Sequence, residues 1–393
     1  MVPQRGHLRL FLDGISRMRP TSSPVKYHHS GRNPLATRLC TRLLLAVGVL
    51  TLCALPSAGA EDYFDRYGLS PASHSVDLGI QPLGYPSGVI SAVMGHDRLL
   101  KKTLADLKHP YQAHPFRRGA DMVALLGDHR LEAGLIGDMP TILAAATGSV
   151  WIVGLVKQTS TAIIAKGHTQ VASLVGKRIG YVETSSAHHT LLQGLGSAGL
   201  KANQVTLVPL AIDDMPDALE RGDIEAFAGW EPAPSIALKR NDKNHIVFRG
   251  LSTDYFVIDR DFAKRAPEAA HHLVAAYLRA IEWMRRSQLN IEKAAAWAAV
   301  DASALSSKPA VLSVPHIVSI TRREILDIPS APVIPSSPGM SPLKNQFLFL
   351  MKLGKLPAGA KWEHVETALT YDGLIRVMGE PRKYKTSTFD YEN

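Results

Sequence analysis

The sequence predicts an α/β fold built from mainly parallel sheets. From about His74 onward, short apolar runs alternate with amphipathic stretches of helical period. The turns that follow the apolar runs carry hydroxyls or a proline where the next helix would start. No self-similar period of about 20–50 residues occurs, which excludes a solenoid. Strands alternating with helices are the pattern of stacked βα units.

The elements follow in order. Val76–Ile80 alternates like a strand, and Ser87–Leu107 carries helical spacing through Val89, Val93, Leu99, Leu100, Leu104 and Leu107. A second strand is expected near Tyr111–Arg117, and a short helix over Asp121–Leu126 ending at Gly127. Leu131–Ile136 reads as an apolar strand. Gly137-Asp138-Met139-Pro140 follows it, with Pro140 suited to a helix's first turn. Trp151–Val156 is a buried-type strand. A second unit repeats the scheme: strands over Ile179–Val182, Val205–Leu210 and Ile224–Gly229, helices over Ala187–Leu195 and Pro216–Arg221. Thr184-Ser185-Ser186 supplies N-cap chemistry before the first of these helices, and Trp230-Glu231-Pro232 marks a further helix start. Pro267–Arg286, Ile291–Val300 and His364–Met378 read as helices. Residues 329–343, rich in Pro and Ser, read as an irregular connection.

The chain has 393 residues, 46% of them hydrophobic and 20% charged, so extended disorder and a fibrous protein are excluded. Its net charge of +9 is unevenly placed. Residues 1–60 hold eight basic side chains and one acid, or +7, which leaves +2 for the remaining 333 residues. The same segment holds both cysteines, Cys40 and Cys53, so neither a disulfide scaffold nor a Cys-based zinc ribbon fits. Leu43–Leu55 is an uncharged, largely apolar run, too short for the about 20 residues of a membrane span but suited to a signal-peptide core. Arg38 and Arg42 precede it, and Ala58-Gly59-Ala60 gives a small-x-small cleavage pattern. We therefore expect secretion with cleavage after Ala60, the alternative being an uncleaved N-terminal anchor, with translation starting at Met1 or Met18. Leu50-Thr51-Leu52-Cys53 only faintly matches a lipoprotein box, because Leu52 is large for the position before a lipidated Cys53.

Several signals carry no chemistry. Gly194-Leu195-Gly196-Ser197-Ala198-Gly199 has the G-x-G-x-x-G spacing but ends a predicted helix instead of opening one, so it is not a dinucleotide fingerprint. His188-His189 and His271-His272 are adjacent, about 100° apart on a helix, and cannot chelate one ion. No metal, cofactor or nucleic acid is expected, and basic pairs such as Lys101-Lys102 read as solvated faces.

Three turns share a design that suits anions: Gly137–Pro140, Glu183–His188 and Gly229–Pro232 each lead from a strand into a helix N-terminus, where free N–H groups and the positive dipole end gather. Ordinary strand-to-helix capping produces the same sequence. Four segments together resemble a known family. Leu131–Pro140 resembles its "Asp-Ala-Gly-x-x-Gly-Asp-x-Pro", Leu174–Gly180 its "Leu-x-Gly-Lys-x-Ile-Gly", Thr184–His188 its "Gly-Ser-Ser-Ala-His" anion turn, and Ala218–Ala226 with Trp230-Glu231-Pro232 its "Ala-Leu-x-x-Gly-x-Ile-Asp-Ala … Trp-Glu-Pro". The family is that of the periplasmic solute-binding proteins of bacterial ABC importers for aliphatic sulfonates, taurine and nitrate, which includes pyrimidine-precursor binders. The likeness spans about residues 74–300. Thr184 departs from it, standing where the family often has glycine, and from about Ala310 onward no family motif occurs.

The resemblance implies a type II periplasmic binding fold: a first lobe of about 74–160 that the chain rejoins over 252–393, and an inserted second lobe of 161–251, with ligand between them. It implies a non-enzymatic, monomeric receptor that delivers a small anionic or zwitterionic solute to the transmembrane subunits of an ABC permease. A periplasmic sensor partner and a pyrimidine-precursor binder are the alternatives on the same fold. The candidate ligand residues are Gln81, Gly137, Asp138, Met139, Thr184, Ser185, Ser186, His188, Trp230, Glu231 and Tyr255. Asp138 would accept from a ligand amine or serve as a helix cap. Trp230 would pack on a ligand's carbon chain or lie in the core, and His188 would donate to ligand or lie on a helix surface.

Overall fold

A computed structural model describes residues 67–392 except 72, 310–311 and 329–341. The leader expected at 1–60 and most of the irregular connection at 329–343 lie outside the described residues. Among the described residues no helix is long and apolar enough to cross a membrane.

In chain order the strands are β1 (Val76–Ile80), β2 (Tyr111–Pro115), β3 (Ala133–Gly137), β4 (Val150–Lys166), β5 (Arg178–Tyr181), β6 (Thr206–Pro209), β7 (Ala226–Gly229) and β8 (Asn244–Asp259). The helices are α1 (Ser87–Gly95), α2 (Arg98–Asp106), α3 (Gly119–Gly127), α4 (Asp138–Ala146), α5 (Ser186–Ser197), α6 (Met215–Arg221) and α7 (Ala233–Arg240). They continue with α8 (Arg260–Arg265), α9 (Pro267–Arg286), α10 (Gln288–Ser306), α11 (Val314–Asp327), α12 (Pro342–Lys352), α13 (Trp362–Ala368) and α14 (Asp372–Gly379).

The strands form one eight-stranded sheet in the order β2-β1-β3-β8-β4-β7-β5-β6. Three strands at one end are parallel, three at the other end are parallel, and two long antiparallel strands, β4 and β8, run through the middle. The parallel ends arise from βα crossovers, which leave helices on both faces. Two apolar clusters cover the faces of the β1–β3 end. One gathers α1, α2, α9, α10 and α11 over Leu78, Leu135, Phe256 and Ile258. The other gathers α3, α4, α12 and α13 over Ile136, Tyr255 and Val257. Two smaller clusters do the same for the β5–β7 end.

Two helices are broken where the sequence reads as continuous. The expected Ser87–Leu107 helix stops at Gly95, because Asp97 takes extended backbone and its Oδ1 accepts from Leu100 N at 2.9 Å, capping α2. The expected His364–Met378 helix is α13 and α14, separated at Leu369–Tyr371, where the Tyr371 ring lies over Gly373 in space a Cβ would need. Trp151–Val156 is part of a strand three times as long. It continues through Lys157-Gln158-Thr159-Ser160-Thr161, polar residues that nonetheless keep the ladder with β8. The G-x-G-x-x-G stretch closes α5. There Gly194 lets the helix approach β4 and β8, for a Cβ would meet Ile163 at 2.5 Å and Phe248 at 3.1 Å.

Candidate functional site

A cleft of about 510 Å³ opens at the middle of the sheet. Four helix starts edge it: Ser87 of α1, Arg118-Gly119-Ala120 at α3, Gly137 and Pro140 at α4, and Thr184-Ser185-Ser186 at α5. The first N–H groups of a helix have no partner within it, so four positive dipole ends border one cavity, although at α1 Gly88 N and Val89 N already donate to Gly84 O and Pro86 O, at 2.7 and 2.9 Å.

The α5 turn is the most developed of these. Ser185 is the N-cap: its Oγ accepts from His188 N at 3.3 Å and donates to Val182 O at 2.6 Å. Ser186 Oγ accepts from Ser252 Oγ at 3.3 Å, which ties the turn to β8. Thr184 sits at φ 55, the left-handed region that glycine enters without steric cost. The threonine therefore keeps the turn's shape at a cost of roughly 1–2 kcal/mol in backbone strain. Thr184→Gly should raise stability by about 0.5–1 kcal/mol, since glycine's larger unfolded-state entropy offsets part of the relief. Thermal unfolding of the two proteins checks this.

Charge enters from the two long strands. Lys157, 2% exposed, and Asp254 both line the cleft, with Nζ 3.8 Å from Oδ1. They are directly opposed in the β4–β8 ladder, and Gly137 of β3 opposes Asp254 from the other side. Asp254 also accepts a hydrogen bond from Ser87 Oγ of α1. A register shift between Leu155 and Lys157 inserts Val156 as an extra residue, and this brings Lys157 opposite the carboxylate. At the rim Glu183 pairs with Lys355 at 2.9 Å, which holds its carboxyl below the usual glutamate range, and Arg118 pairs with Asp121.

Of the residues expected from the sequence, Gln81, Gly137, Thr184, Ser185, Ser186 and Trp230 line this cleft. Trp230 packs its indole over Gly84, where a Cβ would come within 3.3 Å of Nε1. The other five stand behind it. Met139 and Tyr255 are core residues, fully or almost fully buried. His188 is buried beside Tyr181 and Phe349, and its Nδ1 accepts from Thr184 N at 3.4 Å, so it braces the turn from below. Glu231 faces away, accepting from Ser235 N at 3.3 Å within the α7 start.

Asp138 is fully buried and satisfied by protein: it accepts from Met139 N at 2.7 Å, Thr253 N at 3.4 Å and Gln346 Nε2 at 2.6 Å. Burial, and next the charge of Asp254, push its carboxyl up to about 7. The carboxylate that faces the cleft is Asp254, not Asp138. A carboxyl raised in the folded state binds a proton that the unfolded chain has released. Its contribution therefore makes stability fall as pH rises from about 4 to about 7. Asp138→Asn should flatten that slope while the fold persists: the Gln346 amide, whose Oε1 has no partner, can turn to accept from the new Nδ2, and only the long 3.4 Å bond from Thr253 N is lost. Urea unfolding across this pH window checks it.

Sequence reasoning missed Lys157, Asp254, Ser87 and Arg118. The first two lie in polar stretches of the long strands, Lys157-Gln158-Thr159-Ser160-Thr161 and Ser252-Thr253-Asp254, where apolar periodicity gives no guide. Among the described residues no group of three or more His, Cys, Asp or Glu side chains could hold a metal ion.

Residues 140–299 match the NMT1-like family. A putative aliphatic sulfonates-binding protein of Escherichia coli K12 is 31% identical over 163 residues, 40% of this chain and 50% of that protein. The taurine-binding periplasmic protein of the same organism is 30% identical over 162 residues, 39% and 51% of the two chains. The aligned stretch thus spans about half the length of these relatives. The alkanesulfonate-binding protein SsuA of Xanthomonas axonopodis pv. citri, bound to MOPS, superposes with a TM-score of 0.58. Its identity is 22%, over 76% of this chain and 99% of that one. The same fold also carries a desulfurization enzyme, DSZB, with a TM-score of 0.51 and 12% identity over 78% of this chain and 99% of that one. The two-sided α/β fold and the family resemblance of the motifs are thereby borne out.

Proposed function

We propose that this protein is an extracytoplasmic solute receptor that captures a small anionic or zwitterionic solute of the sulfonate class and hands it to an ABC permease. The observation that carries the reading is the convergence of four helix N-termini on one cleft whose only fully internal cation, among its described lining residues, is already balanced by Asp254. Such a site holds an anionic head through oriented N–H groups and the Ser186 hydroxyl, with no large positive field. The names of the curated relatives, which are those of binding proteins, support a receptor over an enzyme. They also support a periplasmic location.

The division into 74–160 with 252–393 and an inserted 161–251 belongs to the same proposal. Its two boundaries fall opposite one another in the ladder, where Ser160 pairs with Leu251, so β4 and β8 would be the hinge strands.

Calorimetric titration with taurine and with ethanesulfonate tests the function. The expected result is micromolar-range binding of at least one of them, weakened tenfold or more, about 1.4 kcal/mol, by Ser185→Ala/Ser186→Ala. Absence of binding to either probe, or binding indifferent to both serines, would remove the proposed site.

A further inference from the structure

The chain after residue 310 carries no motif of the family it resembles and lies outside the 140–299 match, yet α12 reaches the cleft wall from behind. Leu343, Phe347 and Leu350 seat this helix in the same cluster as Met139, Ile142 and Leu143 of α4. Gln346 donates to Asp138 in the floor beneath Gly137. The segment that follows is anchored on α4 as well: Lys361 N donates to Ala146 O at 3.2 Å, and His364 Nδ1 lies 2.9 Å from the same carbonyl. All of these anchors belong to the first half of the molecule.

The opposite side of α12 touches the second half. The Phe349 ring lies 4.5 Å from the His189 ring and 6.3 Å from that of His188, both on α5. Just past the helix, the chain turns through Gly354, at φ 63, and delivers Lys355 Nζ to Glu183 Oε1 at 2.9 Å. Glu183 and the histidines flank Ser185 and Ser186. One helix therefore grips the α5 anion turn from outside while it is rooted on α4.

We propose that α12 and the turn after it form a latch between the two halves, which sets how readily the cleft opens and hence how long it keeps its solute. The proposal rests on the two-lobed reading above. The latch meets the cleft at its rim, where Lys355 pairs with Glu183, and from beneath, where Gln346 holds the buried Asp138. It acts on the opening equilibrium: a contact present only when the halves are together adds its free energy to the closed state and subtracts from the apparent dissociation constant. An aromatic contact and a half-exposed ion pair together correspond to about a tenfold change in that constant.

The test uses the full chain with Cys40→Ser and Cys53→Ser. Spin labels are placed on cysteines introduced at Lys102, on the first half, and Lys201, on the second; both positions are exposed. Pulsed electron-spin distances are measured first without solute. The parent should give one short distance, and Phe349→Ala and Lys355→Glu should each add a longer population. Lys355→Glu changes only a surface side chain, so it reads the latch even if Phe349→Ala loosens the core, and circular dichroism confirms that each variant is folded. With taurine as probe, both variants should bind about tenfold more weakly and release faster. Distances that respond to taurine alike in parent and variants, and do not differ without it, would overturn the latch and leave the two-lobed reading intact. Distances that never change under any condition would overturn both.

Discussion

Asp97→Ala should lower the unfolding free energy by about 3–5 kcal/mol, a large share of the about 5–15 kcal/mol that a domain has to lose. Asp97 and Arg279 are 1% and 2% exposed, and Arg279 places both Nε and Nη2 on Asp97 Oδ2, at 2.9 and 2.6 Å. Removing the carboxylate strands a guanidinium that cannot shed its proton, in a site whose remaining protein acceptor is Tyr384 O at 3.1 Å. The substitution also uncaps α2, since Asp97 Oδ1 is the acceptor for Leu100 N. The cost thus joins an unpaired buried charge to about 1 kcal/mol of lost capping. Arg279→Met should cost less, because the remaining carboxylate keeps its capping role and an apolar stem fills the space. In the Asp97→Ala/Arg279→Met pair the losses should fall well short of their sum, as the stranded charge is gone. Urea unfolding of the four proteins closes the cycle; additive losses would mean that the pair is not coupled.

This ion pair also shows where the sequence was legible and where it was not. Val76–Ile80 and Pro267–Arg286 were readable to the residue, because each is a local pattern: strict alternation in one, and in the other a proline start followed by helical spacing. Asp97 was hidden within a helical period that continues on both sides of it. What breaks the helix is its side chain turning back to Leu100 and inward to Arg279, 182 positions away. β8 was hidden for a related reason. Asn244–Asp259 mixes His245, Arg249, Ser252, Thr253 and Asp254 with apolar residues, because it crosses from one packed half through an open cleft into the other. No single period describes a strand whose surroundings change twice.

The site was legible to the extent that it is made of turns. Thr184-Ser185-Ser186, Gly137 and Trp230 announce themselves by cap chemistry and motif. The assignment of Tyr255 missed by one residue, and in a strand one residue is the whole difference. Tyr255 and Val257 face the α4 and α12 side, while Asp254 shares the other face with Phe256 and Ile258. Asp138 had the right chemistry in the wrong place: a carboxylate next to the anion turn, but turned under the cleft toward Gln346. Lys157 could not be placed from sequence, since its position depends on a bulge that only the pairing with β8 reveals.

Lys157→Met should weaken sulfonate binding by about 100-fold or more. In the parent the ammonium offsets Asp254, so the anionic head meets a cleft near neutrality whose helix ends tip the balance toward binding. Without the ammonium, Asp254 becomes an unbalanced carboxylate on the cleft wall, held by Ser87 Oγ and aimed at the space the anion needs. Two terms then act together, a lost attraction and a new repulsion, each strengthened because Lys157 is withdrawn from solvent. Lys157→Met/Asp254→Asn removes the repulsion and should recover part of the loss, binding ethanesulfonate more tightly than Lys157→Met alone. Asp254→Asn by itself leaves Lys157 in excess, so ethanesulfonate should bind at least as well as to the parent. Taurine adds an ammonium at the other end of the same two-carbon chain. If Asp254 receives that group, Asp254→Asn weakens taurine while sparing ethanesulfonate; equal responses of the two probes would place the ammonium in solvent and make the cleft a reader of the anionic head alone. Calorimetric titration of the four proteins with the two probes gives the answer, and a Lys157→Met protein that binds ethanesulfonate as the parent does would take the strand pair out of the site.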